Sequence, residues 1–211
     1  MTRVDPIPSQ LQLDNIRCER GDRLLIKDLS VALNPGDVLQ VEGANGSGKT
    51  TLLRTLCGLS QPIDGEIRWG GRPIHRIRSE YHAQLTYIGH LPGIKADLTP
   101  LENLQFLHGL HGREPADDMA VLDRIGLFGF EDVPARYLSA GQRRRVALAR
   151  LLVDDTRLWI LDEPFTAIDR TGTAILGEIL AEFVEGGGMV VLTSHQPVAI
   201  TRCEVTRLSL Q

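Results

Sequence analysis

The sequence predicts one α/β domain over residues 1–211: a mostly parallel core sheet, an antiparallel β flank, and a helical subdomain near 96–140. Three observations predict it. A glycine-rich loop, Gly43-Ala44-Asn45-Gly46-Ser47-Gly48-Lys49-Thr50, lies between a β-type run at 38–41 and a helix-type run at 50–57. A short apolar run at 158–161 stops on two consecutive acids, Asp162 and Glu163. A helical run near 174–184, the turn Gly186-Gly187-Gly188 and an apolar strand at 189–192 then follow in the order of a βα-built sheet.

Residues 11–18 and 24–33 alternate like strands of an antiparallel flank, and Asn34-Pro35-Gly36 turns the chain into the strand at 38–41. The loop at 43–50 satisfies G-x-x-x-x-G-K-[ST], and Gly58 is the natural stop for the helix after it. Residues 66–69, then Gly70-Gly71, read as a further strand and turn. From about 101 to 127 the pattern is helical, broken at 112–115. Ser139 is a good N-cap for a helix at 141–153.

This strand–loop–helix is the context in which the motif cradles phosphate. Gly43, Gly46 and Gly48 permit a tight turn whose N–H groups converge on an anion, and the helix start adds partial positive charge. Lys49 is expected to reach the β- and γ-phosphates and Thr50 to ligate Mg²⁺; Ala44, Asn45, Ser47 and Thr51 complete the expected nucleotide-binding set. Consecutive carboxylates at the end of a buried strand are costly without a cation or ligand. Asp162 is therefore the expected partner of the Mg²⁺. Glu163, facing the other way on a strand of period two, suits a base that polarises the attacking water.

Leu138-Ser139-Ala140-Gly141-Gln142 resembles the LSGGQ signature of the ATP-binding-cassette (ABC) ATPases, with Ala140 in place of a glycine. The resemblance spans essentially the whole chain. It implies that Ser139, Gly141 and Gln142 cover the γ-phosphate held by the P-loop of a second cassette, so that a homodimer encloses two ATP molecules. Phe165-Thr166-Ala167-Ile168-Asp169 resembles the loop that crosses that dimer interface, with Asp169 as its acid. His195, after the strand at 189–192, matches the switch histidine that bonds the γ-phosphate. The three arginines of Gln142-Arg143-Arg144-Arg145-Val146 are expected on a solvated or partner-facing helix.

Two positions depart from the family. His90 stands where a glutamine usually contacts Mg²⁺ and the transporter's membrane domain, and Arg20 stands where an aromatic ring usually stacks on adenine. A neutral imidazole can accept from a metal-bound water, and a planar guanidinium can stack on the base. Within the family, Cys18-Glu19-Arg20, Gly89-His90-Leu91-Pro92-Gly93-Ile94-Lys95 and Leu98-Thr99-Pro100-Leu101-Glu102-Asn103-Leu104 are similar to the ATP-binding subunits of bacterial cytochrome c maturation systems, although Leu91 replaces an expected glutamine. That resemblance implies an ATP hydrolase at the cytoplasmic face of the inner membrane. Its partners would be integral-membrane permease subunits, with heme handled only indirectly through them.

Composition narrows the alternatives. With 42% apolar residues, 211 residues suit one well-buried domain. A net charge of −4 argues against a nucleic-acid partner. Cys18, Cys57 and Cys203 lack metal-type spacing and suit a reducing compartment. His108 and His111 are three apart, but the sequence places no acid or thiol beside them. No apolar run approaches the ~20 residues of a membrane helix, and residues 1–10 lack a signal core. The competing readings are a soluble assembly ATPase of iron–sulfur-scaffold type and the ATPase subunit of another ABC transporter. A small-molecule P-loop kinase is disfavoured by the signature at 138–142 and by Glu163.

Overall fold

The computed structural model describes residues 10–21, 23–112, 117–195, 198, 200 and 202–210. The start of the chain and most of the helix-breaking segment at 112–115 lie outside the described residues.

The antiparallel flank is a four-stranded sheet of β1 (Leu11–Arg20), β2 (Arg23–Leu33), β4 (Asp64–Trp69) and β5 (Arg72–Pro73), in the order β2-β1-β4-β5. The core is a five-stranded sheet of β6 (Leu85–Ile88), β7 (Leu158–Leu161), β8 (Met189–Thr193), β3 (Val38–Glu42) and β9 (Val205–Ser209), in that order and parallel throughout. The helices are α1 (Lys49–Leu56), α2 (Arg78–His82), α3 (Pro100–His111), α4 (Asp118–Arg124), α5 (Ala140–Leu148), α6 (Arg150–Val153) and α7 (Arg170–Glu185).

A parallel sheet covered on both faces needs strands that are apolar at every position. β7 shows the consequence: Leu158 and Ile160 join one apolar cluster, while Trp159 and Leu161 join the other. β8 divides the same way, Met189 and Val191 against Val190 and Leu192. The first face packs on α1 through Leu52, Leu53 and Leu56 and on the flank through Leu11, Leu13, Ile16 and Ile67. The second packs on Val146 and Leu148 of α5, Leu176 and Leu180 of α7, and Leu104 and Leu122 of α3 and α4. The sheet thus runs β3, β7 and β8 side by side, so the segments at their C-terminal ends converge at one edge.

Three expectations need correction. The helix foreseen at 141–153 is two helices: α5 ends at Leu148, Ala149 is its cap, and α6 begins at Arg150. Neither β6 nor β9 was anticipated. β9 pairs with β3 from Val205 to Ser209 although its residues are mostly exposed, so hydrogen bonding at the sheet edge defines it more than burial does. The third concerns His108, which does have an acidic neighbour. Asp118 of α4 sits 2.7 Å from His108 Nε2, both side chains buried, and closes α4 onto α3. The side chain of His111 lies outside the described residues.

Candidate functional site: a phosphate cradle beside two carboxylates

Glycine is required at the start of the loop for reasons the structure makes explicit. Gly43 has φ 152°, and a Cβ there would meet Ser47 Oγ at 2.5 Å and the Leu210 carbonyl at 2.7 Å. α1 then begins without a side-chain cap, because its N-cap is Gly48, which takes the left-handed conformation and has no side chain to accept from the first-turn amides. The first-turn amides of α1 are consequently left for a ligand. Lys49 is buried and donates to the carbonyls of Gly43 (2.6 Å) and Ala44 (3.2 Å), so it is folded back along its own loop. Ser47 Oγ is buried and has no hydrogen-bond partner among the described residues. A buried ammonium with no carboxylate partner among the described residues, and such a hydroxyl, are features a phosphate would satisfy.

The two acids are joined to this loop by Thr50 in the first turn of α1 and by Thr193 at the end of β8. Asp162, 3% exposed, accepts from Thr50 Oγ1 (3.0 Å) and from Thr193 Oγ1 (2.7 Å). Thr193 Oγ1 in turn accepts the Glu163 N–H at 2.8 Å. Contrary to the expectation of two faces on one strand, β7 ends at Leu161 and Glu163 lies in the following turn with φ 50°. Its carboxylate places Oε1 2.8 Å from His195 Nε2, and Oε2 accepts from Thr166 Oγ1 at 3.3 Å. His195 is half exposed and Glu163 mostly covered, so the pair stands at the mouth of the site.

The cleft itself encloses about 340 Å³ and is lined by Arg20, Arg23, Leu25, Asn45, Gly46, Gly48, Lys49, Thr50, Thr51 and Glu163. Arg20 and Arg23 are cross-strand partners at the tip of the β1–β2 hairpin, which brings two guanidinium groups to the rim. Leu25 packs on Gly48, where an added Cβ would come within 3.0 Å of it. Sequence reading found Arg20 but missed Arg23 and Leu25, whose only signal was their place opposite it in the hairpin. A larger cavity of about 630 Å³ lies elsewhere, between Thr55, Pro62, Ile74 and Tyr81, and includes none of the motif residues.

Other expected residues lie apart from this cleft. Ser139 and Gln142 form a reciprocal capping box: Ser139 Oγ accepts the Gln142 N–H at 3.1 Å, and Gln142 Oε1 accepts the Ser139 N–H at 2.9 Å. Gly141 is needed because a Cβ would lie 2.8 Å from the Ala167 carbonyl, where the start of α5 meets the loop before α7. Asp169 caps α7 through the Gly172 N–H (2.8 Å) and pairs with Arg145. The Gly172 amide first, and Arg145 second, hold its carboxyl below the ordinary aspartate value. His90 is exposed and is not among the residues lining the cleft.

The arginine run departs from expectation at its centre. Arg144 is 4% exposed, and its guanidinium donates to the carbonyls of Gly89 (2.8 Å), Asp162 (2.8 Å) and Glu163 (3.0 Å). Burial draws its pKa below the usual arginine value, while the nearby Asp162 and Glu163 charges oppose that shift. A run of three arginines on a helix gives no cue as to which one turns inward.

A family model described as ABC transporter matches residues 26–166. The chain belongs to the ABC transporter ATPases. It is 53% identical over 190 residues, 89% of this chain and 91% of the relative, to the cytochrome c biogenesis ATP-binding export protein CcmA of Methylococcus capsulatus. An ABC transporter ATP-binding protein of Pyrococcus furiosus superposes with TM-score 0.82 at 24% identity, covering 96% of this chain and 98% of that one. A dimeric post-hydrolysis ATP-binding cassette holding ADP and Pi superposes with TM-score 0.79 at 21% identity, over 95% and 96% of the two chains. An ABC ATPase binds ATP, and Arg20 lies in the lining of the cleft. Arg20→Ala should weaken ATP binding by about 1 kcal/mol, roughly fivefold, and leave turnover at saturating ATP within about twofold. Titration of the variant with ATP checks this; unchanged affinity would mean that adenine rests on another surface.

Proposed function

We propose that this ABC ATPase is the motor subunit of a membrane export complex serving cytochrome c biogenesis, peripheral at the cytoplasmic face of the inner membrane. It would bind integral-membrane permease subunits and influence heme only through them. Two copies close head to tail over two ATP·Mg²⁺, each P-loop facing Ser139, Gly141 and Gln142 of the other copy. The continuous link Thr50–Asp162–Thr193–Glu163–His195 is the observation that carries the hydrolytic part of this reading. It joins the phosphate loop to the candidate base through side chains from separate parts of the chain. Close identity to a cytochrome c biogenesis export protein supports the biological setting. No described helix is long and apolar enough to cross a membrane, which accords with a separate spanning partner.

The chemistry follows from these placements. The P-loop amides and Lys49 bind and orient the triphosphate. Thr50 and Asp162 offer a hydroxyl and a buried carboxylate, the hard-oxygen donors that Mg²⁺ takes together with phosphate and water. When bound there, Mg²⁺ neutralises developing charge on the phosphate oxygens. Glu163 accepts a proton from water as its oxygen attacks the γ-phosphorus and the bond to the β-bridging oxygen breaks, leaving ADP and phosphate. His195, already against Glu163, orients that carboxylate and can bond the γ-phosphate.

Affinity recovery of the tagged chain from native membranes, with heme quantified in wild type and Glu163→Gln, tests the assignment. Integral-membrane subunits should co-purify, and the heme content of the assembly should change in the variant. Recovery free of any membrane protein, with a cytosolic scaffold instead, would favour the soluble assembly ATPase.

A further inference from the structure

We infer that Arg144 is a positioning residue for Glu163: its guanidinium, carried on the helix that begins after Ser139, clamps the backbone from which the Glu163 carboxylate projects. The inference rests on the reading of Glu163 as the hydrolytic base. A non-glycine residue at φ 50° sits in an uncommon, strained region that persists only where neighbours hold it. The Asp162 carbonyl belongs to the peptide group before Glu163, and the Glu163 carbonyl to the one after. Arg144 donates to both, at 2.8 and 3.0 Å. The planes of those two peptide groups fix φ and ψ at Glu163, and thereby the direction of its Cα–Cβ bond. The Glu163 N–H bond to Thr193 Oγ1 (2.8 Å) completes the restraint.

The same guanidinium reaches a third carbonyl, that of Gly89, immediately before His90. One buried fork therefore ties α5, the turn after β7 and the turn after β6. Since α5 begins at the capping box of Ser139, a shift of that helix would be transmitted to the Glu163 backbone through one side chain. Lysine cannot reproduce this, because an ammonium lacks the planar fork that serves carbonyls on two sides. Glutamine keeps an amide donor but has neither the length nor the charge.

The experiment compares full-length wild type, Arg144→Gln, Arg144→Lys, Glu163→Gln and the Arg144→Gln/Glu163→Gln double variant. Turnover at saturating ATP·Mg²⁺ is measured for each, and ATP affinity by equilibrium dialysis. Arg144→Gln should lower kcat by about tenfold or more with Kd for ATP within about threefold, and Arg144→Lys should fall between it and wild type. In the Glu163→Gln background, adding Arg144→Gln should change the residual rate by less than about twofold, because the group it positions has already lost its basicity. A purely structural arginine would impose the same fold-loss in both backgrounds, which would overturn the inference. So would a wild-type kcat in Arg144→Gln beside an inactive Glu163→Gln. Wild-type hydrolysis by Glu163→Gln would instead remove the base assignment, and this inference with it. If Arg144→Gln does not fold, Arg144→Lys carries the same comparison in both backgrounds.

Discussion

Lys49→Ala should abolish productive ATP binding, weakening affinity at least ~100-fold, equivalent to about 2.7 kcal/mol. The cost arises on the bound side. The ammonium donates to the Gly43 and Ala44 carbonyls, two neutral acceptors along its own loop. On binding, it would exchange them for charge-assisted bonds to phosphate oxygens, which are the stronger kind. Alanine leaves the amides of α1 in place but removes the one side-chain cation in the loop at 43–50. Equilibrium dialysis checks the outcome, with the variant's thermal unfolding run beside it to confirm folding. ATP affinity and turnover that both survive within a few-fold would show that this loop is not the phosphate cradle.

Glu163→Gln should lower turnover by about 10²–10⁴-fold, the range associated with a positioned general base, while ATP affinity stays near that of wild type. Glutamine preserves the size of the side chain and can still bond His195 and Thr166, the two groups now within reach of the carboxylate. It removes only the negative charge that draws a proton from water. Single-turnover hydrolysis under saturating ATP·Mg²⁺ separates this effect from any change in product release. A wild-type rate would end the assignment of Glu163 as base.

The parts of the site that were legible in sequence are those whose chemistry demands neighbours along the chain. A loop that curls amides around an anion must be contiguous, so 43–50 could be read directly. The apolar run before Asp162 and Glu163 was legible for the same reason, and so was the capping residue Ser139. Contacts created by strand register were not. Thr193 meets Asp162 across 31 positions because β7 and β8 lie side by side and both end at that level. Arg23 reaches the cleft only because the β1–β2 pairing sets it opposite Arg20. Strand alternation does not set the Glu163 direction, since β7 ends two residues earlier and Glu163 lies in a turn with its own backbone geometry. Arg144 was hidden by its flanking arginines: Arg145 bonds Gly126 and Asp169 and Arg143 bonds Leu138, so identical residue types take three different environments on one helix.

In the proposed assembly a second copy completes the site, with Ser139, Gly141 and Gln142 closing over ATP held on the opposite P-loop. Within one chain, none of these residues lines the cleft that contains Lys49 and Glu163. The capping box nevertheless fixes an exposed start of α5, leaving the Ala140 and Gly141 amides of its first turn to face an anion. Removing hydrolysis without touching binding should trap the closed pair, since a ligand that binds only the dimer stabilises it by mass action. Light scattering of Glu163→Gln with and without ATP·Mg²⁺ measures this directly. A shift from monomer to dimer mass is expected on adding ATP·Mg²⁺, abolished when Ser139→Arg is also introduced, because its bulk and charge block the facing phosphate. Dimerisation that persists in the Ser139→Arg background, or a Glu163→Gln protein that binds ATP yet remains monomeric at high concentration, would contradict this assembly.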